Sequence, residues 1–352
     1  MGDDAAPGGG EAVAPGGGAS PGGADPRRTL SVPWVESPLF QRELRERAPR
    51  LTAEQRRAAE QFHAQGFLAV PGVVPGDLCD RVRRQVEPMF EDEEVQTRRR
   101  VQDAWRHGAD AVRELATFAP IQDLLRVLYE RRPIPFQTLD FKWGTEQRGH
   151  SDSIHFSCIP ARYMCGVWVA LEDVDATNGP LFYYPGSHRQ PEVTGYDLGY
   201  TADEYFYPGY EEFQHELMAE LGIEPFEFHA SKGDALIWSS NVVHGGGPIT
   251  RPGSTRWSQV SHYFFEGCIY YSPHASEIPT GELWLLGVTD LNTMQPVPPT
   301  YNGQPVFVRT QPSGRSRLSF TDGPGRHGSP TATAGSRVRR RAAGLRRARG
   351  NR

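Results

Sequence analysis

From Pro133 onward the chain breaks into short runs of aromatic and β-branched residues, and turn chemistry separates them. FQTLDFKWG, YMCGVWVALEDV, PLFYYPGSH, DALIWSS and RWSQVSHYFFEG are the clearest. Between them stand Asn178-Gly179-Pro180, Pro185-Gly186, Lys232-Gly233-Asp234 and Gly245-Gly246-Gly247, residue types that reverse a chain. Ahead of Pro133 the pattern is helical. Thr52 reads as an N-cap, apolar positions then recur at helical spacing, and Gly66 ends the helix before a short strand, FLAVPGVV. Helices first and strands second predict an α+β fold, with helices covering one outer face of a sandwich or barrel.

The ends of the chain have a different character. Residues 1–30 are Gly-, Pro- and Ala-rich and hold too little apolar surface to offset the entropy of ordering, so disorder is expected there. They lack the basic and apolar regions of a secretory signal. No apolar run approaches the ~18 residues of a membrane span. The expectation is a cytoplasmic protein with a single domain over residues 31–310. Within it a helical lead-in spans 38–132 and a β core 133–300. An acidic, Tyr-rich stretch at 196–225 interrupts the core like a lid. A disordered Arg-rich tail is expected over 311–352. Residues 315–352 hold eleven Arg against one Asp, so the formal net charge of −5 conceals a much more acidic remainder. No aromatic residue interleaves the arginines of RVRRRAAGLRRARGNR, so a solubilising tail is expected and not a nucleic-acid interface. Cys79, Cys158, Cys165 and Cys268 form no C-x-x-C pair and read as buried, reduced thiols.

Three metal-capable residues fall within six positions in GTEQRGHSDSIHFSCIP: His150, Asp152 and His155. In a strand, side chains alternate faces. His150 and Asp152 share a parity and can address one ion, while His155 points elsewhere or sits past the strand end, with a role near the substrate left open. H-x-D supplies two of the three ligands of a two-His-one-carboxylate site. Among the downstream histidines His244 stands out, because it follows GDALIWSSNVV and precedes three glycines. Arg256, Ser258 and His262 then share a parity. Arg256 suits bidentate capture of a carboxylate, Ser258 can add a hydroxyl, and His262 reads equally as cavity wall or structure. His188, in PGSHR, reads as a turn cap.

H-S-D, then GVWVALEDVDATNGPLFYYPGSHR, then KGDALIWSSNVVHGG and Arg256, in this order, resemble the phytanoyl-CoA dioxygenase family of Fe(II)/2-oxoglutarate oxygenases, over residues 52–300. The resemblance implies a double-stranded β-helix (a jelly-roll, cupin-like core) with N-terminal helices on one sheet. It implies Fe(II) on His150, Asp152 and His244, 2-oxoglutarate as cosubstrate with its distal carboxylate on Arg256, and O2, with ascorbate supportive in vitro. Ser258 and Trp168 match cosubstrate-side positions. Two features depart from the family pattern. His244 and Arg256 are twelve residues apart where eleven is common, and Gly246 replaces a hydroxyl residue, whose contact Gln137 or Thr138 could supply. Asp152 retains the carboxylate that related halogenases lack, which implies hydroxylation or desaturation of a small-molecule substrate. The residues alone leave two other readings open: a zinc hydrolase using the same cluster, and a metal-binding β-barrel without turnover.

Overall fold

The computed structural model describes residues 30–201 and 203–321. The low-complexity start and the Arg-rich end from residue 322 lie outside the described residues. The compact unit considered below begins at Val32.

Helices α1 (Phe40–Arg47) and α2 (Ala53–Gln65) open the unit, and β1 (Phe67–Val70) follows. Thr52 caps α2 in a reciprocal box: its Oγ accepts from Gln55 N (3.1 Å) and the Gln55 carboxamide accepts from Thr52 N (3.0 Å). Gly66 closes α2 at φ 82°, and a Cβ there would lie 2.5 Å from the ring of His188, so a glycine serves both the backbone and the seat of that ring. His188 is buried in a 3-10 turn, Ser187–Arg189, and its carbonyl accepts from Arg162 and Asn241. Next come α3 (Gly76–Val86), α4 (Glu93–Arg98), β2 (Val101–Gln102), α5 (Asp110–Ala116) and α6 (Ala119–Tyr129).

The strands follow: β3 (Pro133–Phe141), β4 (Ser157–Ile159), β5 (Met164–Ala170) and β6 (Leu181–Tyr183). After helix α7 (Tyr207–Glu220) come β7 (Phe226–Phe228), β8 (Ala235–Ser239), β9 (His244–Gly246), β10 (Ser258–Phe265), β11 (Ile269–Glu277) and β12 (Glu282–Leu285). Two small hairpins, β13 (Thr289–Asp290) with β14 (Gln295–Pro296) and β15 (Thr300–Tyr301) with β16 (Gln304–Pro305), precede a last pair, β17 (Phe307–Thr310) and β18 (Ser316–Ser319). One sheet has the order β1-β8-β5-β10-β3-β2, a second β17-β18-β12-β11-β4, and a third β7-β6-β9. Every described pairing is antiparallel. The fold is α+β.

Strand alternation sorts the six-stranded sheet into two faces. Val167, Ile237, Tyr263 and Phe265 point outward into one core with Phe62, Val82, Val112 and Leu125 of the helices. Trp168, Leu236, Trp238 and Val260 point inward into another. Each such side chain, fully buried, contributes about 1.5–3 kcal/mol. The four cysteines are buried and free. No helix among the described residues is long and apolar enough to cross a membrane.

The expected boundary of the tail is corrected. Residues 311–319 are not tail but turn and strand: β18 pairs with β17 and β12, and Gln311 N donates to Arg315 O (2.7 Å) across a turn with Gly314 at φ 89°. Arg315 holds the hairpin down through Asp203 (2.8 Å) and Glu277 (3.4 Å).

Near the entry of the chain, the Glu36 side chain is fully buried beside Arg162 (3.5 Å) and Ser239 Oγ (3.1 Å), and its Oε1 has no hydrogen-bond partner. Burial pushes its pKa from 4.5 up to about 7, against the pull of Arg162. The folded state therefore holds a proton that the unfolded state has released between these values, so stability from this group is full below about pH 4.5 and is lost as pH rises toward 7. Thermal unfolding across this range should show Glu36→Gln gaining on the parent protein as pH rises, by an amount on the order of 2 kcal/mol. A difference that stays constant from pH 5 to pH 8 would contradict the buried proton.

Candidate active site

A cavity of about 370 Å3 lies between the inward face of the large sheet and strands of the other two sheets. His150, Asp152 and His244 share it, each less than a tenth exposed. His150 and His244 are joined as an isolated bridge, each backbone N–H donating to the other's carbonyl at 2.9 Å. Each ring is then oriented by its own chain. His150 Nδ1 lies 3.0 Å from the Arg148 carbonyl, and His244 Nδ1 lies 3.0 Å from the Val242 carbonyl. A carbonyl only accepts, so Nδ1 carries the proton on both rings and Nε2 keeps its lone pair. One donor atom from each of the three residues lies within 4.8 Å of the others, a group able to hold a metal ion.

Asp152 is placed by a single rung of the large sheet. Across β1, β8, β5, β10 and β3 the facing residues are Phe67, Trp238, Gly166, His262 and Gln137. Trp238 Nε1 donates to Asp152 Oδ2 at 2.8 Å, and His262 Nε2 stands 3.6 Å from the same oxygen. Gln137 Oε1 holds His262 Nδ1 at 2.9 Å. Gly166 makes this possible, because a Cβ there would come within 2.1 Å of the Trp238 ring. Burial alone would raise the Asp152 pKa, but His244, His262 and His150 hold it far below the usual carboxylate range. Burial and the neighbouring His244 push His150 down to about 4. Asp152 is therefore ionised and His150 neutral at physiological pH, the states in which both bind metals.

The loop carrying the ligands is clamped from both sides. Tyr210 of α7, fully buried, takes Ser151 N (3.2 Å) and pairs with Ser151 Oγ (2.7 Å). Ser153 N donates to Ser240 O (2.9 Å), and Ser153 Oγ bonds to Asn241 Oδ1 (3.1 Å). The inserted stretch thus grips the ligand loop through a helix.

His155 lies past the end of the extended stretch, one of the two placements expected for it. The chain leaves extended geometry at Asp152 and makes a 3-10 turn, Asp152–Ile154, so parity does not govern His155. One turn of helix brings His155 back to the cavity wall beside Tyr207 (5.1 Å between rings), where burial pushes its pKa down to about 4. It lies outside the three-residue cluster.

Arg256 is delivered just before β10, its N–H on the Lys142 carbonyl (2.9 Å). The twelve-residue interval from His244 is taken up by a loop that turns at Arg251–Ser254, with Gly253 at φ 76°. The guanidinium is 1% exposed, and one nitrogen donates to Gly179 O (2.7 Å). Nε has no partner, and among the described residues no carboxylate pairs with it. Burial pulls its pKa down to about 10. Two further donors lining the cavity are buried without partners among the described residues: Trp168 Nε1 and the Tyr183 hydroxyl, whose ring stacks on His244 at 5.4 Å. Ser258 does not line the cavity and turns its Oγ toward the Arg256 carbonyl (3.4 Å). Gln137 lines the cavity, and Thr138 is buried on the other face of β3. A Cβ on Gly246 would lie 2.6 Å from Thr145 Oγ1, so the glycine gives way to a hydroxyl from the preceding loop. Trp238, Tyr183 and Thr145 escape sequence reasoning. In strands rich in aromatics a Trp or Tyr reads as core, and their common parity with Leu236 and Leu181 was the available signal.

A family model described as phytanoyl-CoA dioxygenase matches residues 62–256. Phytanoyl-CoA dioxygenase domain-containing protein 1 of Mus musculus is 34% identical over 89 residues, covering 24% of this chain and 31% of that protein. Its Danio rerio counterpart is 23% identical over 186 residues, covering 37% of this chain and 64% of that protein. These matches span from about a third to just under two thirds of the relatives' lengths. A crystal structure of EctD from S. alaskensis with 2-oxoglutarate and 5-hydroxyectoine superposes with a TM-score of 0.51 at 19% identity, covering 64% of this chain and 80% of that one, a likeness of fold.

Trp238→Phe keeps the ring and removes the donor to Asp152. Titration with Co(II) or Fe(II) should show metal affinity falling about 10–100-fold, and the metal-free protein should lose about 1–3 kcal/mol of stability with the donor to a buried carboxylate. Unaltered affinity would remove Trp238 from the orientation of Asp152.

Proposed function

The chain belongs to the phytanoyl-CoA dioxygenase family, and from that membership and the geometry of the cavity we propose that it is an Fe(II)- and 2-oxoglutarate-dependent dioxygenase that hydroxylates a C–H bond of a small molecule. The observation that carries this reading is the buried guanidinium of Arg256, which has no carboxylate partner among the described residues, on the wall of the cavity that holds His150, Asp152 and His244. A buried charge without a partner is costly. A wall offering Arg256, the Trp168 N–H and the Tyr183 hydroxyl, all donors, fits the oxygens of a carboxylate. The zinc-hydrolase and turnover-free readings leave that wall without a purpose.

His150, Asp152 and His244 would hold the iron, and Arg256 with Trp168 and Tyr183 would take the distal carboxylate of 2-oxoglutarate. The chemistry supplied by iron in such a site is activation of O2, coupled to decarboxylation of 2-oxoglutarate to succinate and CO2, with one oxygen atom going to succinate and the other to the substrate. The chain's own work is placement. Trp238 fixes the Asp152 carboxylate, and the Nδ1–H bonds of His150 and His244 fix the rings. Tyr207 and Tyr210 of α7 cover the ligand loop and limit water. Asp152 occupies a ligand position as a carboxylate, which favours hydroxylation over halide transfer. The sheets on either side of the cavity support reading the core as a double-stranded β-helix.

Purified protein with Fe(II), ascorbate, 2-oxoglutarate and O2 should form succinate. His244→Ala should abolish it, and tight stoichiometric Zn(II) with no succinate under any substrate would overturn the reading. Arg256→Gln should weaken 2-oxoglutarate binding to the iron-loaded protein by more than about a hundredfold, read anaerobically by calorimetry, while metal affinity holds. Equal 2-oxoglutarate affinity in both proteins would dissociate Arg256 from the cosubstrate.

A further inference from the structure

Arg100 lines the same cavity as Arg256. Arg99 takes a left-handed conformation (φ 57°) at the end of α4, and the chain then enters β2, whose Gln102 faces Leu139 of β3. Arg100 and Gln102 share a parity, and both line the cavity. Arg100 also lines an adjoining cavity of about 230 Å3, which shares Phe141, Thr145 and Gln147 with the first. Neighbouring arginines are committed elsewhere: Arg98 to Glu94 (2.9 Å), Arg99 to Glu146 (3.3 Å) and Arg148 to Glu212 (2.7 Å). Arg100, exposed at the mouth, has no ion pair among the described residues.

Charge balance shows what this leaves. The charged side chains lining the cavity, histidines aside, are Asp152, Arg256 and Arg100. A divalent iron and a doubly charged 2-oxo diacid bring Asp152 and Arg256 to neutrality, and the charge of Arg100 remains. Trp284, Leu286 and Phe156 supply apolar wall on the same cavity, and Trp284 is 41% exposed. Resting on the oxygenase reading above, we propose that the substrate to be oxidised is a carboxylic acid with an apolar body, its carboxylate paired with Arg100 at the mouth and its body laid against Trp284 and Leu286. One planar guanidinium matches one carboxylate. A single unpaired arginine suits a monoanion better than a polyphosphate-bearing thioester.

The test is binding under anaerobic conditions, with Fe(II) and saturating 2-oxoglutarate so that Arg256 is occupied. Matched acids and primary amides, from butyrate and butanamide to 3-phenylpropionate and 3-phenylpropanamide, are titrated and followed by calorimetry and tryptophan fluorescence. At least one acid should bind about fivefold or more tightly than its amide. Arg100→Gln should remove that preference and Arg100→Lys should keep part of it. No acid preferred over its amide, or a preference that survives Arg100→Gln, overturns the proposal. Failure of the oxygenase reading is visible separately, as failure of 2-oxoglutarate to bind the iron-loaded protein when no probe is present.

Discussion

A carboxylate can be buried only where donors meet it, and the inner half of this molecule is organised around doing so for Asp152. Its donor comes from the sheet, Trp238 on β8, with His262 of β10 standing 3.6 Å away and Gly166 between them on β5. The two large side chains can lean toward Asp152 because the residue separating them has no Cβ to block the indole. Holding Asp152 there also sets the 3-10 turn that follows it and the return of His155 to the wall. On the opposite side the His150–His244 bridge ties the ligand loop to β9. The cluster therefore draws on two sheets at once, and its geometry is as rigid as their packing.

The same logic separates two arginines in one cavity. Arg256 is desolvated and bonded to one carbonyl, and its Nε has no acceptor among the described residues. Arg100 stands at the mouth, where water screens it. The first is suited to strong, obligatory capture of one cosubstrate, and the second to weaker selection among substrates. The apolar lining of the cavity suits a substrate body and limits water near the metal position.

Much of this was legible in the sequence. His150 and Asp152 sit two apart in a stretch that is extended as far as Ser151, so period-two reasoning holds for them. His244 and Arg256 are marked by the glycines and the strand pattern around them. The capping box at Thr52 and the glycine stop at Gly66 follow from local chemistry alone. Parity does not reach His155, which lies past the strand end, one of the two placements the sequence left open. Ser258 shares a face with Val260 and His262, which line the cavity, while its hydroxyl meets a backbone carbonyl two residues back. The tail boundary was misplaced because an Arg-rich stretch reads as solvated, while Arg315 is held by Asp203 and Glu277, far away in the chain. Trp238 was invisible as a positioning residue because its role depends on which residue faces it across β5, and register is a property of the fold.

The central claim is that one cavity holds a metal on His150, Asp152 and His244 and a dicarboxylate against Arg256. The most direct measurement is a crystal structure grown anaerobically with Fe(II) and 2-oxoglutarate. The account predicts one iron on these three side chains, with 2-oxoglutarate bound to it and its distal carboxylate on Arg256 within reach of Trp168 Nε1 and the Tyr183 hydroxyl. An iron held by a different set of residues, or 2-oxoglutarate seated away from Arg256, would contradict it.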